Sequence, residues 1–382
     1  MGDRVPAVRY FRAARLLWTA SAAAAGVTVL GLLFVAGAPG DGARSAGAAT
    51  TGAAVARAHT TAASRGGTAV PAAAGRGGPP GSTAVSGWGA GPAAAPGGPL
   101  RGVGAYLRSR KGTVQVAVFN SRTRRTYLLS DGRAAQYTAS IVKADILAKW
   151  LRRYQARPGT IPASVPYSIK YLMQNMITIS DNVASTALFY FGGGCTALTR
   201  FNRLIPTRHT TVGCETPTYY GWGNTVTTAS DQSRIVRTFA YPSPVLAPDA
   251  RAYGLSLMES ITPAQRWGVS CGPWGTDCDP PDYAHPVAGV TVALKNGWKY
   301  VPTCTAQDER CPWQVNSIGW VHGKGRDYVL AVLTTNNPAG PANFGFNYGI
   351  STIQGVSERV WYNLARPWMR DSLKVMINGR RR

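Results

Sequence analysis

From about Ala38 to Pro99 the chain is almost entirely Ala, Gly, Ser, Thr and Pro with scattered Arg. Such a stretch has too few large apolar side chains to offset the entropy of ordering its backbone. Residues 39–98 therefore read as a flexible linker, and a packed core must come from the chain beyond it. Residues 99–365 are long enough for one large domain.

The segment before the linker points to a compartment. Arg4, Arg9, Arg12 and Arg15 precede an uncharged run from Leu16 to Gly37. That run is long enough to span a bilayer as a helix, while Ala36-Gly37-Ala38 offers a small-x-small cleavage site. Residues 1–38 read as a signal peptide or a transmembrane anchor, and both place the remainder outside the cytoplasm. The product is extracytoplasmic, secreted or held at the membrane by this segment.

The formal net charge is +24, spread over the chain, with a basic tail at 366–382 ending in Arg380-Arg381-Arg382. No zinc finger, RNA-binding aromatic signature or helix-turn-helix pattern accompanies the charge, so nucleic acid is not expected. An anionic cell wall or membrane surface fits it instead. The six cysteines, Cys195, Cys214, Cys271, Cys278, Cys304 and Cys311, suit an oxidising compartment. Six allow 15 pairings, of which the three local ones are the simplest. None has the short spacing that puts two ligands on one zinc ion, and no metal or other cofactor is expected.

Within the domain, Val114–Phe119 and Thr126–Leu129 flank the turn Asn120-Ser121-Arg122-Thr123 and read as a β-hairpin. Ile141, Ile146, Leu147, Trp150, Leu151 and Tyr154 recur at helical spacing, predicting a helix over Ser140–Tyr154. Further helices are expected at Ile169–Ile179, Asn182–Phe191, Thr196–Leu204, Thr228–Phe239 and Asp249–Ile261. A long loop at Pro206–Thr225 interrupts them. Strand-like runs at Gly289–Leu294, Gln314–His322 and Tyr328–Thr335 and a helix over Gly349–Leu364 close the domain. Two strands, a helical block, then three strands and a helix fit an α+β fold with one five-stranded antiparallel sheet, helices on both faces and a helical subdomain.

Three short motifs carry the chemistry. Ser140-Ile141-Val142-Lys143 puts a hydroxyl and an amine on one helix face. A serine needs a partner to take its proton, and a desolvated lysine can do so. Ser180-Asp181-Asn182 opens a helix, where each residue type is also a good N-cap. Lys295-Asn296-Gly297 comes after the strand ending at Leu294, where an exposed turn is the plainer reading. Each is weak alone; their order is far more specific.

In that order the chain resembles the class A β-lactamases and penicillin-binding proteins, from about Leu100 to Leu364. The resemblance implies a β-lactamase-like fold and an exported serine hydrolase acting on a β-lactam or a peptidoglycan-like amide as a single copy of the chain. It implies that Ser140 attacks the carbonyl, Lys143 takes or relays the proton, and Ser180 passes a proton to the leaving nitrogen. Asn182 holds the substrate amide and helps position Lys143, and Lys295 faces the substrate carboxylate. Asn296 and Gly297 complete the binding motif. The oxyanion hole would be the backbone N–H groups of Ser140 and Trp298, donors typically worth about 2.7–4 kcal/mol each in the transition state.

Three departures stand out. Asn296 replaces the family's Thr or Ser, altering binding. Trp298 replaces a small residue, and its indole is expected to crowd the cleft. Ser140 and Ser180 lie closer in sequence than in class A enzymes, implying missing elements in the helical half. The family's water-activating Glu sits in a Glu-x-x-Leu-Asn context; the acid available here, Glu215, lacks the Leu and Asn. Glu215 is either that base or a solvent-facing loop acid. Without a base the acyl-enzyme would be long-lived, as in a penicillin-binding or DD-peptidase-like enzyme.

Two rivals remain. Gly268-Val269-Ser270-Cys271-Gly272 matches a G-x-S-x-G nucleophile elbow, with His285 or His322 as base, but lacks the strand before and helix after that the elbow needs. A catalytically weak wall-binding module on the same fold is the non-enzymatic alternative.

Overall fold

The computed structural model describes residues 98–365, apart from 130–134, 158, 215–219, 276–277, 279–282, 302–303, 305–309 and 342. The expected signal or anchor, the linker, the basic tail and Glu215 lie outside the described residues. Among those described, no helix is long and apolar enough to cross a membrane.

The chain opens with α1 (Val103–Arg108), then the hairpin β1 (Thr113–Asn120) and β2 (Arg125–Leu129). A two-residue strand β3 (Gln136–Tyr137) leads into a single 3₁₀ turn, Ala139–Val142, and α2 (Lys143–Tyr154). The helical half continues as α3 (Tyr167–Thr178), α4 (Asn182–Phe191) and α5 (Gly194–Asn202). After the long loop come β4 (Val226–Thr227), α6 (Ala229–Ala240) and α7 (Pro248–Glu259). The strands β5 (Val290–Tyr300), β6 (Trp313–Gly323) and β7 (Arg326–Asn337) and the helix α8 (Phe344–Asn363) end the fold.

The first hairpin joins the last three strands in one five-stranded antiparallel sheet, ordered β2-β1-β7-β6-β5. Both faces of this sheet are buried. Successive side chains of a strand alternate between faces, and β7 shows it: Tyr328, Leu330 and Val332 meet α8 and α1, through Ile350, Ile353, Val356, Val103 and Leu107. Val329, Ala331 and Leu333 meet the helical half, through Ile146, Leu147, Ile235 and Phe239. The expected α+β sheet with helices on both faces is what forms.

Three local details differ from the expectations. Ser140 lies in the 3₁₀ turn, and the α-helix begins only at Lys143. Ala139, at the start of the turn, sits at φ 47°, the left-handed region that a residue with a side chain rarely adopts. In a 3₁₀ turn residues three apart eclipse, so Ser140 and Lys143 still share a side. Secondly, β5 runs to Tyr300, so Lys295-Asn296-Gly297 is mid-strand, not a turn. Thirdly, the long loop holds a 3₁₀ turn, Gly221–Asn224.

The cysteines pair locally as Cys195–Cys214, Cys271–Cys278 and Cys304–Cys311. The first ties the start of α5 to the long loop.

Candidate active site

The site forms where the edge strand β5 passes the 3₁₀ turn of Ser140 and the α3–α4 elbow. Strand alternation sorts the β5 motif. Ala293 packs in the helical half, and on that same side Lys295 reaches Ser180, Gly297 abuts Ser140 and Lys299 reaches the long loop. The even-numbered residues face α8.

Gly297 is required by contact. A Cβ there would stand 2.6 Å from Ser140 N, 2.7 Å from Ile141 N and 2.9 Å from Thr138 O. All three are backbone atoms, so the strand can approach the serine turn this closely only without a side chain. The turn itself is pinned from the sheet: Asn316 Nδ2 donates to Tyr137 O (2.9 Å) and Thr138 O (3.1 Å), and Gln314 Nε2 donates to Tyr137 O.

Ser180 sits at the elbow. α3 stops at Thr178, and Ser180 takes the left-handed conformation at φ 59°, the place where a helix end usually has glycine. A serine held there costs backbone strain that the surroundings must hold in place. The strain aims its carbonyl and hydroxyl at two lysines. Lys143 Nζ donates to Ser180 O (2.7 Å), Ser180 Oγ (3.2 Å) and Asn182 Oδ1 (2.7 Å). Lys295 Nζ donates to Ser180 Oγ (2.9 Å) and to Asn296 O (2.7 Å). The middle residue of the motif does the plain job: the Asp181 carboxylate accepts from Ala184 N at 2.6 Å and caps α4.

Both amines are buried. Burial drives Lys143 well below the usual lysine range, the neighbouring Lys295 charge adds to this, and Asp181 opposes it. Burial pushes Lys295 down to about 7. A lysine with its charge this poorly solvated gives up its proton readily, as a general base must.

Two expectations about β5 are corrected by strand alternation. Asn296 does not face the cleft: its side chain is fully buried and donates to Gln265 O (2.8 Å) and Trp267 O (3.3 Å). Nor does the Trp298 indole crowd the cleft. Its ring lies 5.8 Å from Trp267 and 5.3 Å from Phe346, on the α8 side of the sheet.

Residues beyond the motifs also line the site. The Trp222 ring lies 4.9 Å from Lys143 Nζ. Lys299 reaches Asn224 Oδ1 and lies 5.1 Å over the Tyr137 ring. No periodicity marks Trp222 or Asn224 in the sequence. Asn316 had a faint signal, a polar residue in the middle of an apolar strand.

The elbow rival has no support in the fold. Ser270 is fully buried in a single 3₁₀ turn, Gly268–Ser270, and no strand or regular helix adjoins it among the described residues. His322 is exposed at the end of β6, 3.9 Å from Asp327. No group of acids, histidines and cysteines among the described residues is arranged to hold a metal ion.

Known proteins share this fold. The chain is similar to a class A β-lactamase from Mycobacterium abscessus at 17% identity, over 69% of this chain and 97% of that one, with a TM-score of 0.52. A β-lactamase from Desulfarculus baarsii gives 17%, 69%, 96% and 0.52. An ancestral class A β-lactamase gives 18%, 69%, 98% and 0.50. At such identities the likeness shows the fold. No curated protein sequence matches. A model of the β-lactamase enzyme family matches residues 157–364, which hold Ser180, Asn182 and Lys295 and begin just after Ser140 and Lys143. With the fold and the family match in agreement, the chain belongs to the β-lactamase enzyme family.

Proposed function

We propose that the protein is an exported serine hydrolase that forms an acyl-enzyme on Ser140 with β-lactams or related peptidoglycan-type amides. The observation that carries this reading is the shared hydroxyl: Ser180 Oγ accepts from both Lys143 and Lys295. A proton path then runs from nucleophile to leaving group. Ser140 Oγ attacks the carbonyl carbon and its proton passes to neutral Lys143 Nζ. Lys143 hands a proton to Ser180 Oγ, whose own proton goes to the departing nitrogen as the C–N bond breaks. The product is an ester on Ser140 and a neutral amine that carries the transferred proton, with Lys143 neutral again. Lys295 supplies positive charge for a substrate carboxylate, and the Ser140 and Trp298 N–H groups receive the oxyanion.

Release of the acyl group is a separate step. Among the described residues no carboxylate accepts from Lys143; its hydrogen bonds go to Ser180 and Asn182, and the long loop offers it the Trp222 ring. The candidate water-activating base, Glu215, lies outside the described residues and lacks the Leu and Asn of the family's context, and on that sequence ground a second reading is slow release in the manner of a penicillin-binding or DD-peptidase-like enzyme. Turnover of a chromogenic cephalosporin separates the two. Steady hydrolysis over many equivalents supports a β-lactamase, and a burst of one equivalent followed by arrest supports slow release. Neither burst nor turnover, with Ser140→Ala identical to wild type, contradicts both and leaves a wall-binding module.

A further inference from the structure

Lys143 is enclosed by groups from three elements. Ser180, Asp181 and Asn182 approach from the α3–α4 elbow, and Lys295 from β5. Trp222 approaches from the long loop, its ring 4.9 Å from the amine. Asp145, two residues along α2, is engaged elsewhere, by Asn202 at 3.4 Å. Of the groups touching the amine, Trp222 alone comes from a segment that no motif marks.

The indole is held in place on every side. It is 3% exposed, and Nε1 donates to Thr186 Oγ1 at 3.1 Å, which fixes the ring plane. Tyr220 meets it edge-on at 5.8 Å. Its carbonyl accepts from Thr225 Oγ1 (2.8 Å), and Thr225 O in turn accepts from Thr138 N (2.8 Å), two residues before the nucleophile. Two hydrogen bonds through Thr225 therefore tie the backbone of Trp222 to the Ser140 turn. An indole face attracts a cation electrostatically, and more strongly when water is excluded.

We propose that Trp222 is a positioning residue for acylation: its indole face holds the Lys143 amine against Ser180 and Asn182 and favours its protonated form. The ring thereby offsets part of the cost of burying this charge beside Lys295. Since a base must be unprotonated to accept the Ser140 proton, Trp222 sets the pH at which acylation begins. This rests on the reading of Ser140 as nucleophile and Lys143 as base.

The test is the pH dependence of the acylation rate of the full chain by a fluorescent penicillin. Trp222→Leu keeps an apolar group and removes the π face. The ammonium is then less favoured, and the acid limb of the profile moves to lower pH by about one unit, a tenfold change in proton affinity. Trp222→Phe, which keeps a π face, stays near wild type. Site-specific incorporation of increasingly fluorinated tryptophans at 222 keeps the shape while draining the ring face, so it covers the case in which Trp222→Leu does not fold. A stepwise shift of the limb with fluorine content supports the inference. An unmoved limb, with only the rate or the melting temperature changed, overturns it while leaving the Ser140 reading intact. Absence of any Ser140 adduct in wild type at every pH removes that reading itself.

Discussion

Lys295 Nζ donates to Ser180 Oγ across 2.9 Å, and in the proposed mechanism this bond links the carboxylate-binding side of the site to its proton path. Lys143 reaches the same oxygen at 3.2 Å. Two buried amines on one hydroxyl titrate as a pair, and their apparent values belong to the pair. The proposed acylation needs Lys143 neutral and Lys295 charged. Burial lowers Lys295 to about 7, so its charge is lost as pH rises through that value. The kcat/KM for acylation should therefore be bell-shaped, with an alkaline limb near neutrality. Lys295→Arg keeps the cation at all working pH values and should abolish that limb, whatever its effect on the maximum. An alkaline limb that survives in Lys295→Arg contradicts the assignment.

Gly297→Ala tests the approach of β5 to the nucleophile. The new methyl would stand under 3 Å from three backbone atoms of the Ser140 turn, so strand and turn must separate. A displacement of about 1 Å at a reacting atom costs on the order of 100-fold. We expect acylation by a fluorescent penicillin to fall by at least that factor, with a lower melting temperature. Wild-type acylation in the variant would show that the approach is not needed.

The motifs were legible in the sequence as chemistry but not as orientation. Lys295, Asn296, Gly297 and Trp298 read together as one binding segment because the strand seemed to end at Leu294. Once β5 continues to Tyr300, alternation sends Lys295 and Gly297 to the site and Asn296 and Trp298 to the α8 layer. Hairpin, helices and sheet were legible because their apolar residues repeat at the period of the element. The Trp222 turn was not, since its position depends on Thr225 meeting Thr138 across the fold, a contact with no local pattern. Asp181, by contrast, is the helix cap that its residue type suggested.

Asp145 gives the fold a pH dependence of its own. It is fully buried on α2, and its carboxyl is raised to about 8, chiefly by burial, with the Asn202 amide opposing and the Asp231 charge adding. An unfolded aspartate ionises near 4. Between about pH 4 and 8 the unfolded chain loses this proton while the folded one keeps it, so stability declines as pH rises through that window. Asp145→Asn mimics the protonated group and removes this slope. Thermal melts should show the variant more stable than wild type at pH 8, by on the order of 5 kcal/mol, with the gap closing as pH falls to about 4. Parallel stability curves for the two proteins would contradict the burial argument.

Every step of the proposed reaction depends on Ser140 being the acylated nucleophile. Intact-mass measurement after incubation with benzylpenicillin, followed by peptide mapping, tests it most directly. One covalent equivalent is expected in wild type, carried by the peptide containing Ser140, and none in Ser140→Ala. An adduct or β-lactam turnover that persists in Ser140→Ala, or its placement on another residue, would contradict it.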